Sequence, residues 1–300
     1  MGYGSYNASD WKKLRSSRGI SSDSKASSLF RGDGFKEKYD PRFINMRESC
    51  DSSDSPRSTP IILGFDVTYS MGYLAEEIAT NSLNRTILEI YDKQPVTDPH
   101  VMCAAFTGVY YKNRISEEDI GCPLQVTQYE ADIRVVEQLL DLRIPYGGNR
   151  YSYDALVWYF ASRHTKIDCF EKRRKKGFIF CIGDEIINDK NDVILDEFNI
   201  NMIFNDKDTR DLTSKELFKE VSEKYEVFHI ITGDTRAVVS WNKLIPGRVA
   251  YINEDNIRYL SEVITSIMQM TNGMKARDAI RQWSEEAQPV VEKALEKIKV

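Results

Sequence analysis

The sequence predicts an α/β fold: a doubly wound, mostly parallel sheet with one antiparallel hairpin strand and helices on both faces. Three observations carry that prediction. Apolar runs at 61–65, 178–182 and 227–231 are nearly continuous rather than alternating, as in strands buried on both faces. Segments with helical spacing separate them. Two of the runs stop at an acidic residue: Asp66 directly, and Asp184 after Gly183.

In chain order, residues 1–58 are rich in Ser, Gly, Asp and basic residues. They read as an extended or partly disordered arm, with Trp11, Leu14, Phe30, Phe35, Tyr39 and Phe43 as points of attachment. The main domain is expected over 59–272. Its first strand, 61–66, leads to a helix through Leu74, Ile78, Leu83, Ile87 and Ile90 that Pro95 stops. Strands follow at 100–111 and 123–129. The link between them, 112–121, is too short for a helical crossover, so that pair should be antiparallel. A helix at 132–142 precedes the turn Pro145-Tyr-Gly-Gly-Asn149, and an apolar helix then runs from Ser152 or Asp154 to His164. After the strand at 177–183, the stretch 184–212 is acidic and weakly periodic, with a short helix expected at 193–198. A helix at 214–225, a strand at 226–232, a short helical piece at 241–245, an edge strand at 248–252 and a helix at 256–270 complete the domain. Residues 273–300 read as a charged helical tail, in which Pro289 starts a new helix or kinks the first.

The bulk properties exclude several function classes. The chain has 300 residues, 41% of them hydrophobic and 29% charged, which is enough for a substantial core. A net charge of −5 gives no electrostatic reason to expect nucleic acid as the main partner. The five cysteines are scattered without a C-x-x-C pair, so they read as thiols rather than bridges and fit a reducing cytoplasm. No apolar signal segment and no membrane-length apolar run occurs. Neither a P-loop nor a G-x-G-x-x-G is present, and His100, His164 and His229 lie in no zinc or triad pattern. The basic run 172–176 reads as a solvated loop rather than a nucleic-acid contact.

Chemistry gathers in three loops expected at one edge of the sheet. The first supplies Asp66, Thr68 and Ser70 at alternate positions after a strand. The second, Gly147-Gly-Asn-Arg-Tyr-Ser152, allows close backbone approach and offers Asn149 and Ser152 as neutral oxygen donors. The third is Gly183-Asp184-Glu185. Two carboxylates with several neutral oxygens suit Mg²⁺, or Mn²⁺ or Ca²⁺ in its place. Asp66 and Asp184 are also residue types that cap helices, but the hydroxyls beside Asp66 favour a cation.

These residues resemble a known family. Phe65-Asp-Val-Thr-Tyr-Ser-Met71 is similar to the D-x-S-x-S loop of von Willebrand factor type A (vWA) domains, particularly the intracellular bacterial and phage branch. The family's second loop places a Thr after a glycine pair, and its third places an Asp after an apolar strand. Gly147-Gly148-Asn149 and Ile182-Gly183-Asp184 follow in matching order, with Asn149 preferred over Ser152 because it directly follows the glycines. The resemblance covers about 58–272. It implies a metal-ion-dependent adhesion site with ligands Asp66, Thr68, Ser70, Asn149, Ser152 and Asp184. The implied function is a non-enzymatic interaction module that accepts an Asp or Glu from a partner protein, such as an AAA+ ATPase. The alternative is a metal-dependent phosphoryl-transfer or hydrolytic enzyme, although Thr68 stands where a haloacid-dehalogenase-type phosphatase needs a second Asp. A third possibility is a scaffold with a vacant site.

Overall fold

Ile61–Phe65 and Phe178–Ile182 lie side by side at the centre of a six-stranded sheet. The computed structural model describes residues 8–21, 35–68, 71, 77, 82–110, 122–143, 151–187, 192–233 and 235–300. Its strands are β1 (Arg47–Ser49), β2 (Thr59–Asp66), β3 (Pro99–Phe106), β4 (Leu124–Val126), β5 (Thr165–Ile167), β6 (Gly177–Gly183), β7 (Val193–Leu195), β8 (Leu212–Thr213), β9 (Tyr225–Thr232) and β10 (Val249–Ile252). The main sheet has the order β10-β9-β6-β2-β3-β4. Every ladder in it is parallel except β3–β4, the expected antiparallel pair.

The period of two sorts side chains onto the two faces. On one face, Ile61, Leu63 and Phe65 of β2 join Phe178, Phe180 and Ile182 of β6 and Phe228 and Ile230 of β9. That face is covered by α1 (Ala8–Arg18), α2 (Leu83–Lys93), α3 (Arg134–Leu139) and, after the later strands, α9 (Leu260–Thr271) and the C-terminal α10 (Ala276–Arg281) and α11 (Gln288–Leu295). On the other face, Ile62, Met102, Ile179, Cys181, Val227 and Ile231 meet α4 (Asp154–Arg163), α6 (Glu197–Phe204), α7 (Ser214–Val221) and α8 (Thr235–Leu244). The remaining helix, α5 (Asp168–Arg173), leads into β6. Continuous apolar runs are therefore required, because both faces of each central strand are buried. The predicted fold class is the observed one.

The N-terminal residues pack on this frame. Trp11 and Leu14 of α1 and Tyr39 are buried in the first core, whereas Phe43 is exposed. Asp141 is the anchor: Arg18, Lys36 and Lys38 all approach its carboxylate, between 3.2 and 3.4 Å. Residues 47–49 form β1, which pairs parallel with β5.

Several boundaries differ from the sequence expectation for local reasons. The helix expected at 193–198 is a strand followed by a helix. Val193 to Leu195 pair antiparallel with β8, and Asp196 starts α6 by accepting the Asn199 N–H at 2.9 Å. The strand at 100–111 ends at Phe106, and that at 123–129 is confined to Leu124–Val126. Residues 241–245 mostly belong to α8. The tail is two helices, with Pro289 in the first turn of α11. The connection 112–121 lies outside the described residues. All five cysteines are free thiols. Among the described residues, no helix is long and apolar enough to cross a membrane.

Gly177 shows how tightly the amino ends of the strands meet. A Cβ there would stand 2.7 Å from Pro60 Cγ, 2.9 Å from the Pro60 carbonyl oxygen and 2.9 Å from Tyr225 Cδ1. Because one of those atoms is backbone, Gly177→Ala is expected to destabilise the protein by about 1–3 kcal/mol. Urea unfolding checks this, and an unchanged midpoint would show that the strand can shift without cost.

Candidate functional site

From β2 the chain winds outward through β3 to β4, and every later strand of the main sheet lies on the opposite side of β2. The winding direction therefore reverses between β2 and β6. Open α/β sheets bind ligands outside the carboxyl ends of the strands at such a switch point. Asp66 is the last residue of β2, and Asp184 directly follows β6. The ladder pairs Phe65 with Ile182, which sets Asp66 opposite Gly183. A Cβ at Gly183 would lie 3.3 Å from Asp66 Cβ, so a side chain there would crowd the carboxylate.

Asp66 is almost wholly buried, with 2% of its surface exposed. The Thr68 N–H donates to its Oδ1 at 2.9 Å, and Met71 N–H closes the same turn onto the Thr68 carbonyl at 3.0 Å. Burial pushes the Asp66 carboxyl up from 3.8 to about 7. The Thr68 hydrogen bonds oppose that rise, and the charges of Asp184 and Asp154 add to it. The rise corresponds to about 4 kcal/mol against the ionised form. A carboxylate at a switch point, destabilised by burial and two like charges, is a place where added positive charge is favourable.

The second and third loops are tied together beside it. Ser152 N–H donates to the Ile186 carbonyl at 2.9 Å, and Ser152 bridges to Ile187. Ser152 Oγ donates to Asp154 Oδ1 at 2.6 Å, and His229 Nδ1 donates to Asp154 Oδ2 at 2.6 Å. Asp154 and His229 are both fully buried. The His229 ring stacks on Trp241 at 3.7 Å with an interplanar angle of 11°, and Trp241 Nε1 donates to the Glu185 carbonyl at 3.1 Å. The Cys181 thiol also faces Asp154, which together with burial pushes it well above its ordinary range. A buried polar chain thus fixes the backbone just after Asp184, from Glu185 to Ile187.

The structure brings Asp66, Thr68, Ser152 and Asp184 to the carboxyl edge of the sheet or the loops joined to it. Ser70 and Asn149 lie outside the described residues, as do Gly147, Gly148, Arg150 and Asp234. Among the described residues, no three His, Cys, Asp or Glu side chains are grouped to hold a metal ion. The expected ligand set contains only two carboxylates, the others being hydroxyl and amide oxygens. His100 contacts Ser49 at 3.1 Å and His164 contacts Asp206 at 2.9 Å, both away from this edge.

Sequence reasoning left out Asp154, His229 and Gly183 as supports of the site. Their signal was present: His229 interrupts an apolar strand, and Asp154 opens an otherwise apolar helix. Buried polar residues need partners: His229 Nδ1 finds one in Asp154, while its Nε2 has none among the described residues.

No protein-family model matches the sequence, and no curated protein matches it. Several solved structures are distantly similar to it. The pilus adhesin SpaC of Lactobacillus rhamnosus GG, in its open conformation, is 12% identical over 76% of this chain and 31% of that one, with a TM-score of 0.46. The conserved hypothetical protein BatB of Bacteroides thetaiotaomicron is 12% identical over 71% of this chain and 98% of that one, with a TM-score of 0.40. The human COPII-coat protein Sec24c is 11% identical over 74% of this chain and 33% of that one, with a TM-score of 0.39. The chain therefore spans about a third of the length of the adhesin and of the coat protein. The fold class rests on the strand order rather than on these likenesses.

Asp66 makes stability depend on pH with a definite sign. Between about 4 and 7 the native state holds a proton that the unfolded chain has released, so the Asp66 contribution falls as pH rises through that window. In metal-free buffer, Asp66→Asn should remove this dependence. The variant should gain up to about 4 kcal/mol relative to the parent between pH 4 and 8 in urea unfolding. A parent-to-variant difference that stays flat with pH would show that the buried carboxylate is not disfavoured.

Proposed function

We propose that the chain is a non-enzymatic protein-interaction module of the vWA type, holding a divalent cation at the carboxyl edge of β2 and β6. The observation that carries this reading is Asp66: a buried carboxylate at the switch point, pushed up to about 7 by burial and by its acidic neighbours. Asp66, Thr68, Ser70 and Asp184 would hold the ion, with Asn149 or Ser152 from the second loop. The donor set is one of hard oxygens, which suits Mg²⁺ and admits Mn²⁺ or Ca²⁺. The Ser152 hydroxyl fits such a role, since its proton is directed to Asp154 and its lone pairs remain for a cation.

When bound, the ion supplies positive charge and an open coordination position for an Asp or Glu of a partner protein. The chain's own residues do the rest. Thr68 N–H orients the Asp66 carboxylate, and the Ser152–Asp154–His229 chain with Trp241 holds the second and third loops in register. An AAA+ ATPase of a multi-protein assembly is the partner class that the vWA resemblance favours.

Pull-down of native complexes with the tagged chain, with and without EDTA, tests the reading. Capture should depend on Mg²⁺ or Mn²⁺ and should be lost in Asp66→Ala, with the variant still folded by circular dichroism. Capture that persists unchanged in EDTA and in the variant would sink it.

A further inference from the structure

The opposite pole of the sheet carries a different chemistry. Where β2, β6 and β9 begin, a cleft of about 600 Å³ opens between Thr59, Phe178, Gln94 and Asn272. Arg57, Arg173, Arg174, Lys175 and Lys176 line it, and Glu226 is the one acid among the described lining residues. This is a local reversal in a chain with 46 acidic and 41 basic residues.

Two of the five cations are engaged within the fold. Arg173 donates to Asp51 at 2.6 Å and to the Ser58 carbonyl at 2.9 Å, and Lys176 lies 3.5 Å from Glu226. Arg57, Arg174 and Lys175 are exposed, and among the described residues no acidic side chain forms an ion pair with them. Arg57 is held in place through its backbone: its N–H donates to Asp98 at 2.8 Å, and its carbonyl accepts from Thr97 Oγ1 at 3.1 Å. Arg174 takes a left-handed conformation (φ 56°), with its guanidinium over the Phe170 ring at 5.4 Å.

We propose that this cleft is a second docking site, for an acidic peptide segment of a partner protein. Attraction of cations to helix C-termini accounts for Arg173, Arg174 and Lys175 at the C-terminal turn of α5, but not for Arg57, which comes from the segment before β2. α2 and α9 reach the cleft by their C-termini, and the six-residue α5 reaches it through Cys169, in its first turn, as well as through Arg173, in its last. Arg57 comes from a different segment of the chain from Arg174 and Lys175, so the cations act as separate side chains along a trough. Carboxylates spaced along a peptide match that arrangement better than one compact dianion. A nucleic acid would find no stacking surface among the described lining residues, since their one aromatic, Phe178, is buried, and the chain as a whole carries a net charge of −5. The site does not rest on the cation reading, and the two edges would let the domain bridge two segments.

Fluorescence anisotropy of a short labelled peptide of mixed Asp and Glu tests the proposal on the full chain. In EDTA, which leaves the carboxyl edge without a cation, the peptide should bind the parent, and bind less tightly as salt rises. Reversal of the three free cations (R57E, R174E and K175E together) should weaken it about tenfold or more. Reversal of three exposed lysines elsewhere (K207E, K215E and K219E) should leave it within about twofold. Circular dichroism and Tm confirm that both triple variants are folded. No binding to the parent, equal loss in the two triple variants, tighter binding of a single-stranded oligonucleotide of matched length, or displacement of the peptide by low inorganic phosphate would each overturn it.

Discussion

Asp66 meets Gly183 across the β2–β6 ladder, and the rest of the carboxyl edge is arranged around that contact. A Cβ at 183 would press on Asp66 Cβ at 3.3 Å and meet its Oδ2 at 3.7 Å, so glycine leaves the carboxylate the most room. The price is a buried acid beside Asp154 and Asp184, whose ionisation is disfavoured by about 4 kcal/mol. This buried acid, held by a hydrogen-bonded turn at Thr68, is the feature on which the proposed cation site rests.

The two-sided core makes that contact rigid. Parallel strands buried on both faces cannot slip by one residue without exchanging their side chains between cores, so the register that brings Asp66 to Gly183 is fixed by Ile61 to Phe65 and Phe178 to Ile182. Asp154 and His229, buried beside the second core, hydrogen-bond to each other, and the chain extends through Ser152 and Trp241 to Glu185 and Ile186, just after Asp184. Removing one member leaves a buried polar atom of the other without its hydrogen bond, a loss of about 1–3 kcal/mol. The loops are therefore coupled to the core rather than free to adapt.

The fold class was legible in the sequence because it depends on patterns that the chain cannot hide. Uninterrupted apolar runs ending at Asp66 and Gly183 mark strands buried on both faces, and the short 112–121 link marks the antiparallel pair. The approach of Asp66 and Asp184 to one edge was legible for the same reason. The helix at 193–198 was misread because Val193, Ile194 and Leu195 suit either state, and only pairing with the distant Leu212 and Thr213 decides it. The roles of Asp154 and His229 were hidden because 75 residues separate them and only the fold joins them. The basic run 172–176 looked like a solvated loop, since Arg57 and the cleft it borders belong to another part of the chain.

Anomalous scattering from a crystal soaked in Mn²⁺ tests the central claim most directly, because it reports the ion without needing a partner. A peak between Asp66 and Asp184, absent from Asp66→Ala crystals, is the predicted result. A parent crystal with no peak at that edge, soaked under conditions that load Mn²⁺ elsewhere, would contradict it and leave the domain a scaffold with a vacant site.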